Sequence, residues 1–210
     1  MQLNSKNFTD GAPIPGEFAF AVIDPVSHVA LSTNRNPHLA WSDAPDGAKS
    51  FVLICHDYDV PSSGEDVNQE GRDVPASLPR VDFFHWVLIN IPATQREITA
   101  GSHSDGVTPR GKSGPATEGG MRHGINDYTA WFAGDVDMRG QYYGYDGPCP
   151  PWNDTLTHHY VFTLYALDAP RLEVDGELNG SSVRAALAGH VLAEATLTGT
   201  YSLNPRLQTA

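Results

Sequence analysis

The stretch that most limits the fold runs from Tyr145 to Ala166, Y-D-G-P-C-P-P-W-N-D-T-L-T-H-H-Y-V-F-T-L-Y-A. Its first half carries Pro148, Pro150 and Pro151. Proline fixes φ and lacks an N–H, so this segment excludes helix and central strand alike and reads as a stiff loop through Trp152. The second half, Val161 to Tyr165, is β-branched, aromatic or aliphatic and reads as a buried strand. Side chains alternate across a strand, so His158, Tyr160, Phe162 and Leu164 share one face. An imidazole and a phenol thus stand together where a rigid loop feeds the sheet, a place suited to a small polar site at its rim.

The rest of the chain reads as further strands. Phe18–Ile23 follows a Pro/Gly turn, and Leu39–Trp41 is closed by Pro45-Asp-Gly47. Phe51–Asp57 is an apolar run buried on both faces and ended by Tyr58-Asp-Val-Pro61. Phe83–Ile91 is a second such run, stopped by Pro92, and Ala195–Tyr201 alternates like a final strand. Ser62 to Asp82 and Thr99 to Asn126 read as long surface loops, and Tyr128 to Tyr145 as aromatic and irregular. Long loops in a compact domain are often functional. One helix is expected, from about Ser181 to Ala193, capped by Ser181 or Asn179, with Val183, Ala186, Leu187 and Val191 on its buried face. Arg206 to Ala210 reads as a frayed tail. With 20 glycines and 16 prolines to supply turns, the pattern is all-β. A β-sandwich in a single domain over residues 1–210, with its core at about 18–202, is the expected architecture.

Net charge is −12, and no cluster of Lys or Arg is present to neutralise a phosphate backbone. Nucleic acid and anionic membrane surfaces are therefore poor partners for the molecule as a whole. No apolar run is long enough to span a bilayer, and the first ten residues lack the apolar core of a signal peptide. Two cysteines do not make a disulfide framework, so a soluble, cytoplasmic protein with reduced Cys55 and Cys149 is expected.

Polar residues stand at the ends of the three best strands: Asp57 and Asp59 after the first, His85 near the start of the second, His158 and Tyr160 at the start of the third. If the first two strands are antiparallel and the third runs with the second, all gather at one rim. Two chemistries suit the set. Asp57, His85 and His158 could hold a first-row metal for hydrolysis, although no H-x-E or H-E-x-x-H spacing is present. Alternatively His85, His158, the Tyr160 hydroxyl and backbone amides of the Gly147 loop could donate to a phosphate-like anion. On that reading affinity falls from about pH 6 to 8 as the imidazoles lose their protons. No activated nucleophile, phosphate loop or cofactor motif is evident, so no enzyme activity, cofactor or metal is assigned.

Several motifs resemble the phosphatidylethanolamine-binding protein family, most closely its bacterial Raf-kinase-inhibitor-like branch. They are N-P-H-L-A-W at Asn36–Trp41, Pro45-Asp-Gly47, H-D-Y-D-V-P at His56–Pro61, H-W at His85–Trp86, G-Y-D-G-P-C-P-P at Gly144–Pro151, and H-H-Y at His158–Tyr160. The resemblance implies a β-sandwich of two antiparallel sheets with a helix near the C-terminus and long surface loops. It also implies a small pocket for phosphate-like anions or phospholipid head groups, formed by Asp57, Asp59, His85, Gly147, Pro148, Pro150, His158 and Tyr160. Tyr58 stands where the family has proline, and His159 where it has arginine. Thr129–Tyr143 looks like an insertion, and Ser62–Asp82 exceeds the family minimum; both bear on the pocket mouth. A kinase-inhibitor-like regulatory role and a homodimer are further expectations from the resemblance. An interaction protein with a vestigial pocket is the remaining alternative.

Overall fold

In the computed structural model, residues 1–208 are described. They form the strands β1 (Gln2–Asn4), β2 (Ala21–Asp24), β3 (His28–Leu31), β4 (Leu39–Ser42), β5 (Ser50–Pro61), β6 (Arg80–Pro92), β7 (Glu97–Ile98), β8 (Arg122–His123), β9 (His158–Leu167) and β10 (Val191–Tyr201). Two short helices, α1 (Tyr128–Trp131) and α2 (Gly180–Ala186), interrupt them. The larger sheet has the order β10-β9-β5-β6-β8 and the smaller β1-β4-β7, both antiparallel throughout, while β2 and β3 form a separate hairpin.

The apolar runs of β5 and β6 follow from their position. One face, with Phe51, Leu53, Trp86 and Leu88, packs against Leu3, Leu39, Trp41 and Ile98 of the smaller sheet. The other, with Val52, Ile54, Val87 and Ile89, packs beneath Leu172, the α2 residue Val183 and Leu187 just beyond that helix. Strands covered on both sides have no solvent face to mark with polar residues, so alternation disappears from their sequence.

Several local expectations are corrected. The helix ends at Ala186, because Gly189 takes a left-handed φ of 83° and turns the chain. Val191, the last member of the expected helical stripe, opens β10 and is exposed. At the N-terminal side Asn179 is the cap, its side chain accepting from the Ser182 amide. The expected strand Phe18–Ile23 starts only at Ala21, because the Phe20 amide bonds the Pro148 carbonyl and ties this segment to the proline loop. β5 runs on through Tyr58 to Pro61, with a register shift after Asp57 that lets proline sit at the strand end. The 99–126 segment is not a surface loop, since β8 pairs with β6 and His123, Ile125 and Asn126 are buried. Pro205–Leu207 form a 3₁₀ turn capped by Asn204, with Arg206 paired to Asp73 at 2.5 Å, so the tail is anchored up to there. The remainder of the expected tail, Thr209 and Ala210, lies outside the described residues.

Candidate functional site

β5 lies antiparallel to both β6 and β9, so its end meets the starts of both. Asp57 stands opposite Phe83 on one side and Tyr160 on the other. This register gathers Asp57, His85, His158 and Tyr160 on the floor of one cavity of about 270 Å³, with Pro150 in its wall.

Asp59, Gly147 and Pro148 do not line that cavity. In an even strand Asp57 and Asp59 would share a face, but the bulge after Asp57 breaks the alternation. The Asp59 amide donates to Asp57 Oδ1 at 2.7 Å, while its carboxylate turns outward to the amide and Nδ1 of His159 at 2.9 and 2.8 Å. The Gly147 amide is spent on Asn34 Oδ1 at 2.8 Å, and its carbonyl accepts from the Tyr128 hydroxyl at 2.7 Å. It therefore has no donor for an anion. Glycine is required there for packing: a Cβ would lie 2.2 Å from the Phe18 carbonyl oxygen. Gly147→Ala is expected to cost about 1–3 kcal/mol, as overpacking does, and to move the proline loop; an unchanged urea midpoint would contradict this account.

His158 is buried between two carboxylates, with Nδ1 at 2.7 Å from Asp57 and Nε2 at 3.1 Å from Asp154. Asp154 is held in turn by Arg80 at 2.5 and 3.1 Å. Burial opposes charge on His158, but the hydrogen bonds and charges of the two carboxylates outweigh it and hold its pKa up at about 9. Burial likewise opposes the Asp154 carboxylate, yet His158 and Arg80 bring its pKa below the usual range. The cavity floor thus rests on an alternating chain of charges that neutralise one another, and Asp154 and Arg80 carry no motif that would reveal them in the sequence.

His85 behaves differently. Its Nδ1 lies 2.8 Å from the Asp146 carbonyl. A carbonyl only accepts, so Nδ1 carries the proton and the neutral ring offers a bare Nε2 lone pair. Burial drives its pKa down to about 4. Asp146 also donates its amide to the His85 carbonyl at 3.1 Å. The Asp146 carboxylate is completely buried, held by Lys112 at 2.9 Å and by Asn34 and Asn126 at 2.7 Å each. Tyr160 completes the floor. Its hydroxyl is buried and faces the Asp57 carboxylate without closing to a well-formed hydrogen bond, and 5.0 Å separates its ring centroid from that of His85. Cys149 lines the cavity as a free thiol, and burial pushes its pKa up to about 12, so it stays protonated.

A β-sandwich whose larger sheet ends in a polar-floored, apolar-walled cavity defines a class of protein built around one small site. The chain belongs to the phosphatidylethanolamine-binding protein family, whose model matches residues 4–202. Among curated relatives, the UPF0098 protein YbhB of Escherichia coli is 31% identical over 203 residues, covering 96% of this chain and 100% of its own. A Mycobacterium tuberculosis relative named as a lipoprotein, LppC, is 29% identical over 201 residues, covering 96% of this chain and 72% of its own. Among solved structures, Escherichia coli YbcL, described as a new member of the mammalian PEBP family, superposes with a TM-score of 0.67 at 26% identity, covering 96% of this chain and 97% of that one. CT736 of Chlamydia trachomatis gives a TM-score of 0.61 at 27% identity, with 96% of each chain covered. Among the described residues no helix is long and apolar enough to cross a membrane.

Proposed function

We propose that this chain is a soluble, cytoplasmic binding protein rather than an enzyme, and that its cavity takes a phosphate-like anion or the head group of a phospholipid. The observation that carries this reading is the buried Tyr160 hydroxyl on the cavity floor, which faces Asp57 but makes no well-formed hydrogen bond. A buried polar atom without a partner costs about 1–3 kcal/mol, a cost that a ligand oxygen would relieve. Family membership supports the same reading. Two free thiols suit a reducing compartment. A kinase-inhibitor-like role and a homodimer are further parts of the proposal, carried by the family relation.

The metal-dependent hydrolase is the weaker reading on the chemistry of the donor set. Both nitrogens of His158 face carboxylates, and His85 Nδ1 is committed to a carbonyl. That leaves His85 Nε2 and Asp57 as donors, one short of the three protein ligands usual at a catalytic zinc.

The floor also dictates the form of the anion. Asp57 and His85 Nε2 are acceptors, and Tyr160 is a donor. A phosphate that keeps two protons can donate one P–OH to His85 and the other to Asp57 while a charged oxygen accepts from Tyr160, and its second ionisation leaves one of these acceptors facing an oxygen anion. Neither imidazole changes charge between pH 6 and 8, since burial holds His85 at about 4 and the two carboxylates hold His158 at about 9. The fall in affinity across that window, ascribed to the imidazoles on sequence grounds, is therefore assigned to the ligand's own second ionisation.

Calorimetric titration tests this. Phosphate is expected to bind more weakly at pH 8 than at pH 6, with proton uptake at pH 8. Sulfate, which has no proton to offer there, should bind at least ~tenfold more weakly at pH 6, because it leaves the His85 lone pair facing an oxygen anion. Tyr160→Phe should weaken phosphate by about tenfold without lowering the melting temperature. Equal affinity for the two anions, or phosphate binding indifferent to Tyr160→Phe, would remove the support for this site.

A further inference from the structure

Above its floor the cavity wall is mostly apolar, with Asn68 its polar member. Leu31 comes from the β2–β3 hairpin, Val67 from the loop between β5 and β6, Phe83 from β6, and Trp131 and Phe132 from α1 and the turn after it. Two of these wall segments are the stretches whose length departs from the resembled pattern, 62–82 and 129–143.

These walls are held in place rather than hinged. Asn153, itself buried, donates its side-chain amide to the carbonyls of Asp66, Gln69 and Arg72 and accepts from the Asn68 amide at 2.9 Å. One side chain thereby ties the whole 66–72 turn to the proline loop. The hairpin is fixed by His28, whose ring stacks on Trp152 at 3.8 Å and lies 2.6 Å from Glu70. Phe132 stacks on Tyr128 and tilts against Phe20, with centroids 5.5 and 5.9 Å apart. At the rim Trp131 and Leu31 remain 55% and 66% exposed, apolar surface that a bound molecule would cover.

Size narrows the choice. A dry cavity of about 150 Å³ holds benzene, so about 270 Å³ accommodates one ring and a tetrahedral acid group together. The two chains of a phospholipid would not fit within it.

We propose that the cavity selects a phosphomonoester-like acid carrying one compact apolar body, about the size of an aromatic ring, clasped between Val67 and Trp131 over the Asp57–His85–Tyr160 floor. This rests on the phosphate-like anion half of the proposed function, takes a free phosphomonoester in place of a phospholipid head group, and adds the apolar part of the ligand. A preformed apolar wall recovers affinity from ring burial without first ordering a loop.

The test compares inorganic phosphate, phenyl phosphate and vesicles of phosphatidylethanolamine and phosphatidylcholine on the full chain. Phenyl phosphate is expected to bind at least ~tenfold more tightly than inorganic phosphate, since even one methylene in an apolar pocket is worth that much. Trp131→Ala and Val67→Ala should each weaken phenyl phosphate severalfold more than inorganic phosphate; Trp131 is half-exposed, so its variant retains the fold. Vesicles should neither retain the protein nor compete with phenyl phosphate. Inorganic phosphate binding as well as phenyl phosphate would overturn this proposal and leave the anion reading intact. Vesicle capture that phenyl phosphate does not compete away would replace it with a lipid surface. No binding of either phosphate would remove both readings.

Discussion

Acidification from pH 6.5 to about 4 is expected to unfold the protein, through histidines that the fold keeps neutral. Burial lowers the pKa of His85 and of His103 to about 4. Burial, with the nearby His103 and Lys112 charges, takes His123 to about 3. His103 Nδ1 lies 3.1 Å from His123 Nε2, and His123 Nδ1 accepts from Trp86, so this pair titrates as a unit. All three folded pKa values lie below the unfolded value near ~6.5. Above pH 6.5 neither state binds these protons and the stability is intact; as pH falls the unfolded chain takes them up first. A fall from 6.5 to about 4 is worth roughly 3 kcal/mol at about 1.4 kcal/mol per unit. Counting His85 and the coupled pair as one group each, the loss is about 6 kcal/mol, comparable with a whole domain stability of about 5–15 kcal/mol. His158 acts in the opposite sense: its pKa of about 9 means its contribution is complete below pH 6.5 and lost as pH rises through 9. Stability should therefore peak near pH 6.5 and fall on both sides. Urea midpoints across pH 4–9.5 measure this, and NMR titration should find the His85 and His123 ring signals unmoved down to pH 5. A midpoint constant from pH 6.5 to 4.5 would rule the account out.

The second large effect is expected from Lys112→Met. Lys112 is the only cation on the Asp146 carboxylate among the ion pairs of the described residues, and Asp146 has no exposure at all. Burial opposes charge on both partners, lowering the lysine pKa and raising the aspartate pKa. Breaking such a buried pair from one side costs about 3–5 kcal/mol. Adding Asp146→Asn should recover only roughly half, because Asn34 and Asn126 both donate to this position and an amide can accept from only one of them well. The effect should reach the cavity. Asp146 and His85 exchange two bonds through the Asp146 backbone, so a loosened Asp146 frees the His85 ring and weakens phosphate. A loss below about 1 kcal/mol would place the pair among surface-like ion pairs and remove this positioning role.

What was legible in the sequence had a local or periodic cause. Apolar runs with no polar alternation marked β5 and β6 as covered on both faces, a third apolar run marked β9 as a buried strand, and prolines marked the loop that feeds it. Given antiparallel first and second strands and a third running with the second, Asp57, His85, His158 and Tyr160 fall at one rim, and the pairing of β5 with both β6 and β9 meets that condition. Partners that meet only through tertiary contact left no trace. Asp154 and Arg80 join across 74 residues, and Lys112 and Asp146 across a separate loop. Asp59 was misplaced because a bulge, invisible in the residue types, broke the alternation after Asp57. Gly147 was misread as a donor because its role is the close approach of Phe18, from the far end of the chain. Above all, composition supplies histidines, but burial and neighbouring charge decide which stay neutral. Desolvation keeps His85 uncharged at physiological pH and two carboxylates keep His158 charged, a division that depends on the folded environment of each ring.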